Sequence, residues 1–510
     1  MKLKSISKSF KYIISFAVVL LLLLMGTKLF QDKAWFLATF FYCSAALIIY
    51  VYSISKKTPA KYLLPGVLLL TLFHIYPAFY SGAVAFTNDS NGHQLSKEQA
   101  ITAILQDSKV PIDSLQPIRY QTLIAKDSSK VSILFQYPES TYWIGNSGSI
   151  QKFDPTPTNL APDGTVLKVQ GFELLTPSEA NDYVSELQTL TVEVDSGISL
   201  QPQDLETLEA FQPSFTYDAT KDELVNVVTG EIYSPNDNGQ MVSAAGEVLL
   251  PGWKSNVGWR NFTSILSDEE IRRPLLAVLA WTFANAFLLV LLSFLMGLIL
   301  ALIFNFPYLR SKRFYRTIFI IPLAIPSVLS FLVWSGLFTA ETGVIDRLFH
   351  ISTPWLTHPW WARVAVLIVE LWITFPYMFL ICTGAIQSIP NDILEAAQID
   401  GASPIKSFTL IKMPLVVRTL APLLVASTAM ALNNFGAIYL LTGGGPTFSN
   451  SNGNAGATDI LISYTYKLAF NSQEGNNYGL ASALSILNFL MVGLISIYGL
   501  RKMKTMEGIN

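Results

Sequence analysis

The sequence predicts an all-α polytopic membrane bundle of about eight transmembrane helices that carries an inserted α+β extracytoplasmic domain. The first observation is composition: only 14% of the 510 residues are charged and 51% are hydrophobic, whereas soluble domains have roughly 25% charged residues. The second is a series of apolar runs that each approach the length, about 20 residues, that crosses a bilayer. The third is a long polar stretch, residues 88–258, between two groups of these runs.

The apolar runs lie at 12–30, 34–54, 62–87, 275–304, 314–338, 361–386, 416–441 and 480–500. A secretory signal peptide is the alternative interpretation of the first run. We disfavour it because no small-residue cleavage site follows the run and a second run begins almost at once. We therefore expect three N-terminal transmembrane helices in residues 1–87, a soluble domain in 88–258 and a core of five transmembrane helices in 259–510.

Basic residues set the expected topology, because lysine and arginine are enriched in cytoplasmic loops. They cluster at the N-terminus, between the second and third runs, between the fourth and fifth, and after the last. The clusters are Lys2, Lys4, Lys8 and Lys11; Lys56, Lys57 and Lys61; Arg310, Lys312, Arg313 and Arg316; and Arg501, Lys502 and Lys504. With eight spans all four clusters fall on one side, so we expect both termini in the cytoplasm and residues 88–258 outside.

The polar stretch 88–258 holds 23 acidic and 9 basic residues, a net charge of −14. Its pattern predicts a helix over Lys97–Leu105 and strands over Val131–Tyr137 and Thr189–Val194, separated by loops rich in Asn, Asp, Gly and Pro. Both cysteines, Cys43 and Cys382, lie in predicted spans and so indicate no compartment. The domain is either a stable decoration or a surface that recognises a soluble partner outside the membrane.

A polar hairpin is predicted at 388–415, between the sixth and seventh runs and hence in the cytoplasm. Pro390 fits a helix start, where its missing N–H costs nothing, and Asn391 or Asp392 could cap the exposed amides. Asp400 and Gly401 should end this helix, since glycine accepts the left-handed conformation.

The second arm of the hairpin is expected to begin at Ser403 and Pro404, as cap and first-turn residue, and to stop at Pro414. In the first arm, Ile393, Ala396 or Ala397, and Asp400 fall along one side of the helix. The small alanines would allow another backbone to come close. An amphipathic hairpin lying on the membrane without a partner is the alternative.

Polar residues within the runs are candidates for a ligand pocket, because an unpaired polar group in hydrocarbon costs several kcal/mol. They are Asn285, Thr374, Tyr377, Ser427, Asn433 and Asn434. Hydroxyls, amides and an aromatic ring suit a neutral sugar, although neighbouring helices use the same groups to bond each other. Prolines that bend helices, and so make room for a pocket, are Pro77, Pro322, Pro326, Pro376 and Pro422.

Glu370 is a carboxyl group within the sixth run. Such a residue suggests a proton relay or a substrate contact. It stands alone, however, with Arg363 two turns away, so we favour an interfacial or helix-paired glutamate.

The hairpin resembles the EAA loop of ABC importer permeases, on the residues Glu395-Ala396-Ala397, Asp400-Gly401-Ala402, Phe408 and Met413-Pro414. Further resemblance follows in order along the chain. The matching segments are Ala85-Phe86-Thr87-Asn88, Gly258-Trp259-Arg260-Asn261-Phe262, Leu441-Thr442-Gly443-Gly444-Gly445-Pro446 and Tyr464-Thr465-Tyr466. Together they resemble the MalF family, the larger permease subunits of maltose/maltodextrin ABC importers within the binding-protein-dependent transport system inner membrane components.

This resemblance implies a non-catalytic subunit of a bacterial inner-membrane importer, without a cofactor. The implied partners are a MalG-like sister permease, two MalK-like ATPase subunits, an extracytoplasmic sugar-binding protein, an oligosaccharide and the lipid bilayer. The residues implied to couple to the ATPase are Ile393, Glu395, Ala396, Ala397, Asp400 and Gly401. The implied sugar pocket is Ile373, Thr374, Tyr377, Ser427, Met430, Ala431 and Asn434.

Three of the implied pocket residues depart from the family pattern. Thr374 replaces a glycine, Met430 an aromatic residue and Ala431 an asparagine, so a stacking face and an amide are lost. Maltodextrin is the first expectation, with another α- or β-linked oligosaccharide as the alternative.

Two other classes of protein compete with the importer subunit. The chain contains no Gly-x-x-x-x-Gly-Lys-Ser/Thr motif, so an importer of this kind needs ATP hydrolysis on another chain. A proton-coupled secondary transporter would use Glu370, and the expected absence of other buried carboxylates argues against it. A membrane-anchored receptor or enzyme would work through residues 88–258, where we find no catalytic constellation. The four histidines lack metal-ligand spacing, and nothing indicates nucleic-acid binding.

Overall fold

A computed structural model describes residues 2–32, 34–54, 58–112, 115, 117–126, 130–137, 141–162, 165–195, 198–305, 311–449, 451, 454–470 and 475–506. The chain forms two compact units. The membrane unit consists of Met1–Phe86, Trp259–Gln473 and Tyr478–Asn510. The inserted domain consists of Thr87–Gly258 with Glu474–Asn477.

The membrane unit begins with helices α1 (Lys2–Gln31), α2 (Trp35–Ile49), α3 (Thr58–Leu70) and α4 (Tyr76–Val84). A π-helical turn over Thr71–Ile75 joins α3 to α4, so that the helical stretch Thr58–Val84 is long and apolar enough to cross a membrane. The amide of Tyr76 bonds the carbonyl of Thr71, five residues back. This wider turn lets the helix continue although Pro77 has no N–H to donate.

The inserted domain follows, and it is rich in β-structure. Its helices are α5 (Lys97–Asp107), α6 (Pro177–Ala180) and α7 (Val184–Thr189). Its strands are β1 (Lys109–Pro111), β2 (Ile118–Ala125), β3 (Val131–Gln136), β4 (Tyr142–Asn146), β5 (Ser149–Phe153), β6 (Phe172–Leu174), β7 (Val192–Asp195), β8 (Ile198–Pro202), β9 (Thr207–Pro213), β10 (Phe215–Asp218), β11 (Glu223–Asn226), β12 (Ile232–Pro235), β13 (Met241–Ser243) and β14 (Val248–Leu249).

Two antiparallel sheets organise the described part of this domain. The larger has the order β5-β4-β3-β2-β9-β8-β7, with β1 beside β9 and β6 beside β2, and the smaller is a β10-to-β14 meander. Helix α5 buries Ala100, Ile101 and Ile104 in a core shared with the smaller sheet. A capping box between Ser96 and Gln99 starts this helix, and its presence confirms the predicted helix over Lys97–Leu105.

The strand predicted over Val131–Tyr137 is confirmed as β3, whereas the one predicted over Thr189–Val194 is wrong at its start. Thr189 ends helix α7, and β7 begins at Val192. The hydroxyl of Thr189 donates to the carbonyl of Glu186, and Leu187 is buried in the domain core. Tertiary burial therefore overrides the strand preference of a β-branched residue.

The remaining helices of the membrane unit follow the inserted domain. They are α8 (Arg260–Ser267), α9 (Glu269–Phe304), α10 (Lys312–Ala324), α11 (Ser327–Leu337), α12 (Val344–Phe349), α13 (Pro359–Gln387), α14 (Asn391–Ile399), α15 (Pro404–Ser407), α16 (Met413–Leu432), α17 (Phe435–Leu441), α18 (Leu461–Phe470) and α19 (Tyr478–Met506). Helices α9 and α13 pack closely at Gly297, where a Cβ atom would lie 2.6 Å from the carbonyl carbon of Met378.

The fifth predicted span is not straight. Its two parts, α10 and α11, meet at an angle of 91°. Pro326 explains the break, because the residue before a proline is pushed out of the helical region, and Ile325 has an extended ψ of 131°. The seventh predicted span is also divided, since α16 ends at Leu432 and α17 begins at Phe435.

Within the described residues, six helices are long and apolar enough to cross a membrane, or seven if the bent pair counts as one span. An eighth span would require α1, whose described side chains form a shorter apolar stretch, Phe16–Gln31.

The chain leaves and re-enters the membrane unit at neighbouring points, which we call the neck. The side-chain amide of Asn261 donates to the carbonyl of Ala85 at 2.8 Å. Phe86 packs against Trp259 and Phe262, with ring centroids 5.1 and 5.3 Å away. The neck thus belongs to the membrane unit on both sides of the insertion.

Candidate functional site

The first arm of the hairpin is helix α14, which ends as the sequence predicts. Asp400 is its last capping residue, and Gly401 has a φ of +79°. The amide of Gly401 bonds the carbonyl of Gln398, and that of Ala402 bonds Ala397. The predicted start is wrong in one respect: Pro390 is the N-cap, and no side chain of Asn391 or Asp392 caps the helix.

The second arm starts at the predicted cap but does not stop at the predicted proline. The hydroxyl of Ser403 accepts a bond from the amide of Lys406. A π-helical turn over Phe408–Lys412 then leads directly into α16, so Pro404–Leu432 is one continuous helical stretch. The amide of Met413 bonds the carbonyl of Phe408, five residues back. This turn accommodates the missing N–H of Pro414, as the similar turn does before Pro77.

The hairpin is anchored from one side and exposed on the other. Leu394, Phe408 and Met413 pack against a buried core formed by the ends of α9, α13 and α16. Other large apolar side chains of the hairpin are exposed instead: Ile393, Ile399, Ile405 and Leu410. Ile399 is the most exposed of the four, at 86%.

The residues implied to couple to an ATPase lie on this exposed side with one exception. Ile393, Glu395, Ala396, Asp400 and Gly401 are all exposed, whereas Ala397 is 7% exposed. Of the two alanines that the sequence left open, Ala396 is therefore the one available to a partner. Ala397 faces the chain's own fold.

The implied pocket residues on α13 are Ile373, Thr374 and Tyr377, about one helical turn from first to last. Ile373 packs against a core that contains Ala437 and Ile438 of α17. The hydroxyl of Thr374 donates to the carbonyl of Glu370 at 2.7 Å, so one of its hydrogen bonds is already used. Tyr377 is exposed at 36% and presents both ring and hydroxyl.

The implied pocket residues on the next helix do not share one continuous face. Met430 is 75% exposed, whereas Ala431 is 5% exposed and packs with Ala286 and Leu289 of α9. Ser427 lies on α16, but Asn434 lies beyond its end, as the N-cap of α17. The sequence spacing predicts that Ser427, Met430 or Ala431, and Asn434 share one helical face. This prediction is wrong because the helix breaks at Asn433–Asn434.

Glu370 is fully buried, at 1% exposure, so of the two alternatives, an interfacial or a helix-paired glutamate, the structure has the second. Its carboxyl oxygens accept bonds from the side-chain amides of Asn285, at 2.9 Å, and Asn434, at 2.7 Å. These bonds pair Glu370 with α9 and with the N-cap of α17. Arg363 lies elsewhere: its Nε donates to the carbonyl of Ala457, and its guanidinium stacks over Trp281.

A second buried polar cluster surrounds Asp459, and the expectation that Glu370 is the only buried carboxylate is therefore wrong, since Asp459 is 0% exposed. Asp459 accepts bonds from the ammonium of Lys467 at 2.7 Å, the hydroxyl of Ser463 at 2.8 Å and the amide of Gly456 at 2.7 Å. Gly444 lies against the Asp459 carboxylate with a φ of +79°, so a side chain there would collide with it. The available signal was the i, i+4, i+8 spacing of Asp459, Ser463 and Lys467 in an otherwise apolar segment.

Comparison with known proteins agrees with this architecture. Residues 293–503 match the family of binding-protein-dependent transport system inner membrane components. Residues 68–148 match the N-terminal part of transmembrane subunits in ABC transporters that depend on periplasmic binding proteins.

Individual relatives match over most of the chain. The maltose/maltodextrin transport system permease protein MalF of Vibrio parahaemolyticus is 33% identical over 484 residues, which cover 91% of this chain and 88% of that protein. MalF of Yersinia pestis is 34% identical over 90% of this chain and 87% of that protein. A solved bacterial ABC transporter involved in the import of alginate is 25% identical over 49% of this chain and 84% of that one, with a TM-score of 0.42.

An anchored hairpin with a glycine turn, a domain inserted at a closed neck and identity above 30% over about nine-tenths of the sequence point the same way. The chain belongs to the MalF family of permease subunits of binding-protein-dependent ABC transporters.

Proposed function

We propose that this chain is the larger permease subunit of a bacterial inner-membrane importer for maltose and maltodextrins. The observation that carries the proposal is the hairpin, because it presents exposed apolar residues while its other side is anchored between the two helices that bear the pocket residues. It performs no chemistry itself. ATP is hydrolysed on partner subunits, which contact the hairpin and displace it when they move.

Force can pass from the hairpin to the pocket through one shared core. Leu394 and Phe408 pack in the cluster that contains Phe379 of α13 and Val416 and Leu420 of α16. Because such cores are close-packed, a displaced hairpin moves both helices rather than deforming locally. Closure of two ATPase subunits would then turn the pocket from inward-facing to outward-facing.

The pocket is proposed to bind the sugar through hydroxyls, an amide and one aromatic ring. Tyr377 supplies a ring face and a hydroxyl, while Thr374, Ser427 and Asn434 supply hydrogen-bonding groups. Met430 is exposed where the family has an aromatic ring, and Ala431 is buried, so it offers the sugar nothing. These differences keep another oligosaccharide as the alternative substrate, although the relatives named above favour maltodextrin.

The proposed assembly contains a sister permease, two ATPase subunits and an extracytoplasmic sugar-binding protein. With both termini in the cytoplasm, the acidic inserted domain faces outward, where it would contact the binding protein. Its net charge of −14 would steer a partner with a basic surface.

Co-purification in mild detergent, followed by ATPase and uptake assays with maltose and longer maltodextrins, tests this proposal. A matched pair of variants isolates the hairpin. Ala396→Trp adds bulk at the exposed position implied to meet the ATPase, and we expect loss of uptake with loss or uncoupling of ATPase activity. Gln398→Trp adds the same bulk on the far side of α14, which is also exposed, and should transport.

Equal uptake by wild type and Ala396→Trp would refute the docking role of the hairpin. Uptake that needs no ATP and no partner would refute the importer itself. If the wild-type complex transports only another oligosaccharide, the transport class stands and maltodextrin is withdrawn.

A further inference from the structure

Glu370 lies at the point where three elements of the membrane unit meet. It projects from α13, and its two oxygens accept bonds from Asn285 of α9 and from Asn434 at the start of α17. No lysine or arginine forms an ion pair with it in the described part of the chain. Its visible role is that of a buried hydrogen-bond acceptor.

The break between α16 and α17 is held by side chains from two other helices. Asn433 accepts a bond from the side-chain amide of Asn488 on α19 at 2.8 Å, and its own amide donates to the carbonyl of Ala429. Asn434 is held by Glu370 of α13. Each asparagine of the break is therefore fixed from a different direction.

The bond from Asn434 to Glu370 also fixes what Asn434 can offer a ligand. An asparagine carboxamide is planar, with donors on the nitrogen and an acceptor on the oxygen. With its nitrogen directed at the carboxyl oxygen 2.7 Å away, the plane of the group and the direction of Oδ1 are set. Oδ1 is then the acceptor available for a sugar hydroxyl.

We propose that Glu370 is a positioning residue for sugar binding. It orients the Asn434 carboxamide and holds the helix break in register with α9 and α13, without touching the sugar. This inference rests on the proposed function, because Asn434 is assigned to the sugar pocket there.

The two informative variants are Glu370→Met and Glu370→Gln. Methionine keeps the bulk but removes both acceptors, which frees the Asn434 carboxamide. Glutamine keeps one acceptor for Asn434, and its NH2 group can donate to Asn285, whose Oδ1 is buried without a hydrogen-bond partner. The side-chain amide of Asn285 would flip by about 180°, so that Oδ1 in place of Nδ2 faces residue 370.

Uptake kinetics in the intact importer complex test the proposal, with whichever oligosaccharide the wild type transports. We expect Glu370→Met to raise KM about tenfold, the value of one lost hydrogen bond to the sugar, and to leave kcat within about twofold. Glu370→Gln should keep the wild-type KM. Glu370→Met combined with Asn434→Ala should be no worse than Asn434→Ala alone, because the first residue acts through the second.

The control is Ser293→Ala, which removes a buried hydroxyl of α9 that donates to the carbonyl of Val290, and it should not change KM. An unchanged KM in Glu370→Met, or an additive effect with Asn434→Ala, would overturn the positioning role. If Glu370→Met does not assemble, Glu370→Gln still decides: an assembled complex that no longer transports would point to a proton-carrying carboxyl instead. Absence of maltodextrin uptake by the wild type would remove the proposed substrate alone.

Discussion

The hairpin and the helix break at Asn433–Asn434 are both candidate binding sites, but the first exposes apolar side chains and the second holds polar side chains in hydrogen bonds. In the hairpin, apolar side chains such as Ile399 and Ile405 are left exposed, while the backbone turn is closed by its own hydrogen bonds. At the break, the backbone is interrupted, and the asparagine side chains are bonded to Glu370 and Asn488.

The difference indicates what each site awaits. Exposed apolar surface is stabilised when another protein covers it, so under the proposed function the hairpin is incomplete until an ATPase subunit docks. A polar group buried among helices must be bonded within the chain, so Glu370 and Asn488 hold the break without another protein, and Oδ1 of Asn434 is the acceptor left for a polar ligand. Mutations should therefore act on association at the first site and on affinity or stability at the second.

The largest effect is expected from Gly401→Val. Gly401 has a φ of +79°, which a β-branched residue avoids at a cost of about 1–2 kcal/mol, so the two arms would change their angle. We expect sugar uptake to be abolished while the amount of protein in the membrane stays near wild type. Gly384→Ala is the control, because a Cβ atom there meets nothing within 4 Å. Normal uptake by Gly401→Val would contradict a coupling role for the turn.

Lys467→Met should produce the next largest effect, on stability rather than on docking. It leaves the buried carboxylate of Asp459 without its cation, and breaking such a pair costs about 3–5 kcal/mol. Thermal unfolding of the detergent-solubilised complex should show a clear drop in Tm. The double variant Asp459→Asn with Lys467→Met should recover much of it, since no charge is left unpaired. Equal Tm values for the single variant and wild type would show that the pair contributes little.

Met430→Phe should act on affinity alone. The side chain is 75% exposed next to the break, and an aromatic ring there would restore a stacking face worth about 0.5–1.5 kcal/mol. Uptake assays should show a KM for maltodextrin that is roughly two- to tenfold lower. Ala431→Phe provides the contrast, because that position is packed against α9 and the ring should lower protein yield instead. An unchanged KM in Met430→Phe would place residue 430 outside the sugar path.

The smallest effect is expected in the inserted domain, at the ion pair between Lys97 and Asp222. Both side chains are partly exposed, so solvent weakens their interaction. Lys97 and the hydroxyl of Tyr217 both donate to Asp222. The bond from Lys97 is the main reason that the pKa of the Asp222 carboxyl lies below its usual value. The resulting stability is present at neutral pH and is lost as pH falls through the lowered pKa.

Lys97→Met should therefore reduce protection of residues 97–107 in hydrogen exchange by less than about 1 kcal/mol at pH 7. The difference from wild type should shrink in acid. Lys152→Met is the control, because its pair with Asp154 is long, at 3.7 Å, and mostly exposed. A difference that grew as pH fell would contradict the assignment.

Local chemistry made the hairpin turn predictable. The end of α14 and the cap of α15 depend on bonds between residues that are close in sequence, around Asp400, Gly401 and Ser403. Both could therefore be located from the sequence. The prediction that the second arm stops at Pro414 is wrong because a π-helical turn over Phe408–Lys412 accommodates the missing hydrogen bond, whereas a proline within a helix usually ends or kinks it.

The buried polar bonds could not be predicted in the same way. Asn285, Glu370 and Asn434 are far apart in sequence, and only the packing of α9 against α13 and the break after α16 bring them together. Runs of apolar residues also conceal the break, since Asn433 and Asn434 interrupt the hydrophobic pattern too briefly to divide a predicted span. The family resemblance supplied Asn434 as a pocket residue but not its partner.

The neck formed by Ala85, Phe86, Trp259, Asn261 and Phe262 has a consequence for how such transporters diversify. Because departure and return of the polypeptide are tied together within the bundle by a 2.8 Å bond, the two ends of the insertion stay adjacent whatever the length of the chain between them. Related permeases could therefore gain, lose or exchange residues of the inserted domain, and so bind a different soluble protein, while the helices that flank the insertion keep their arrangement.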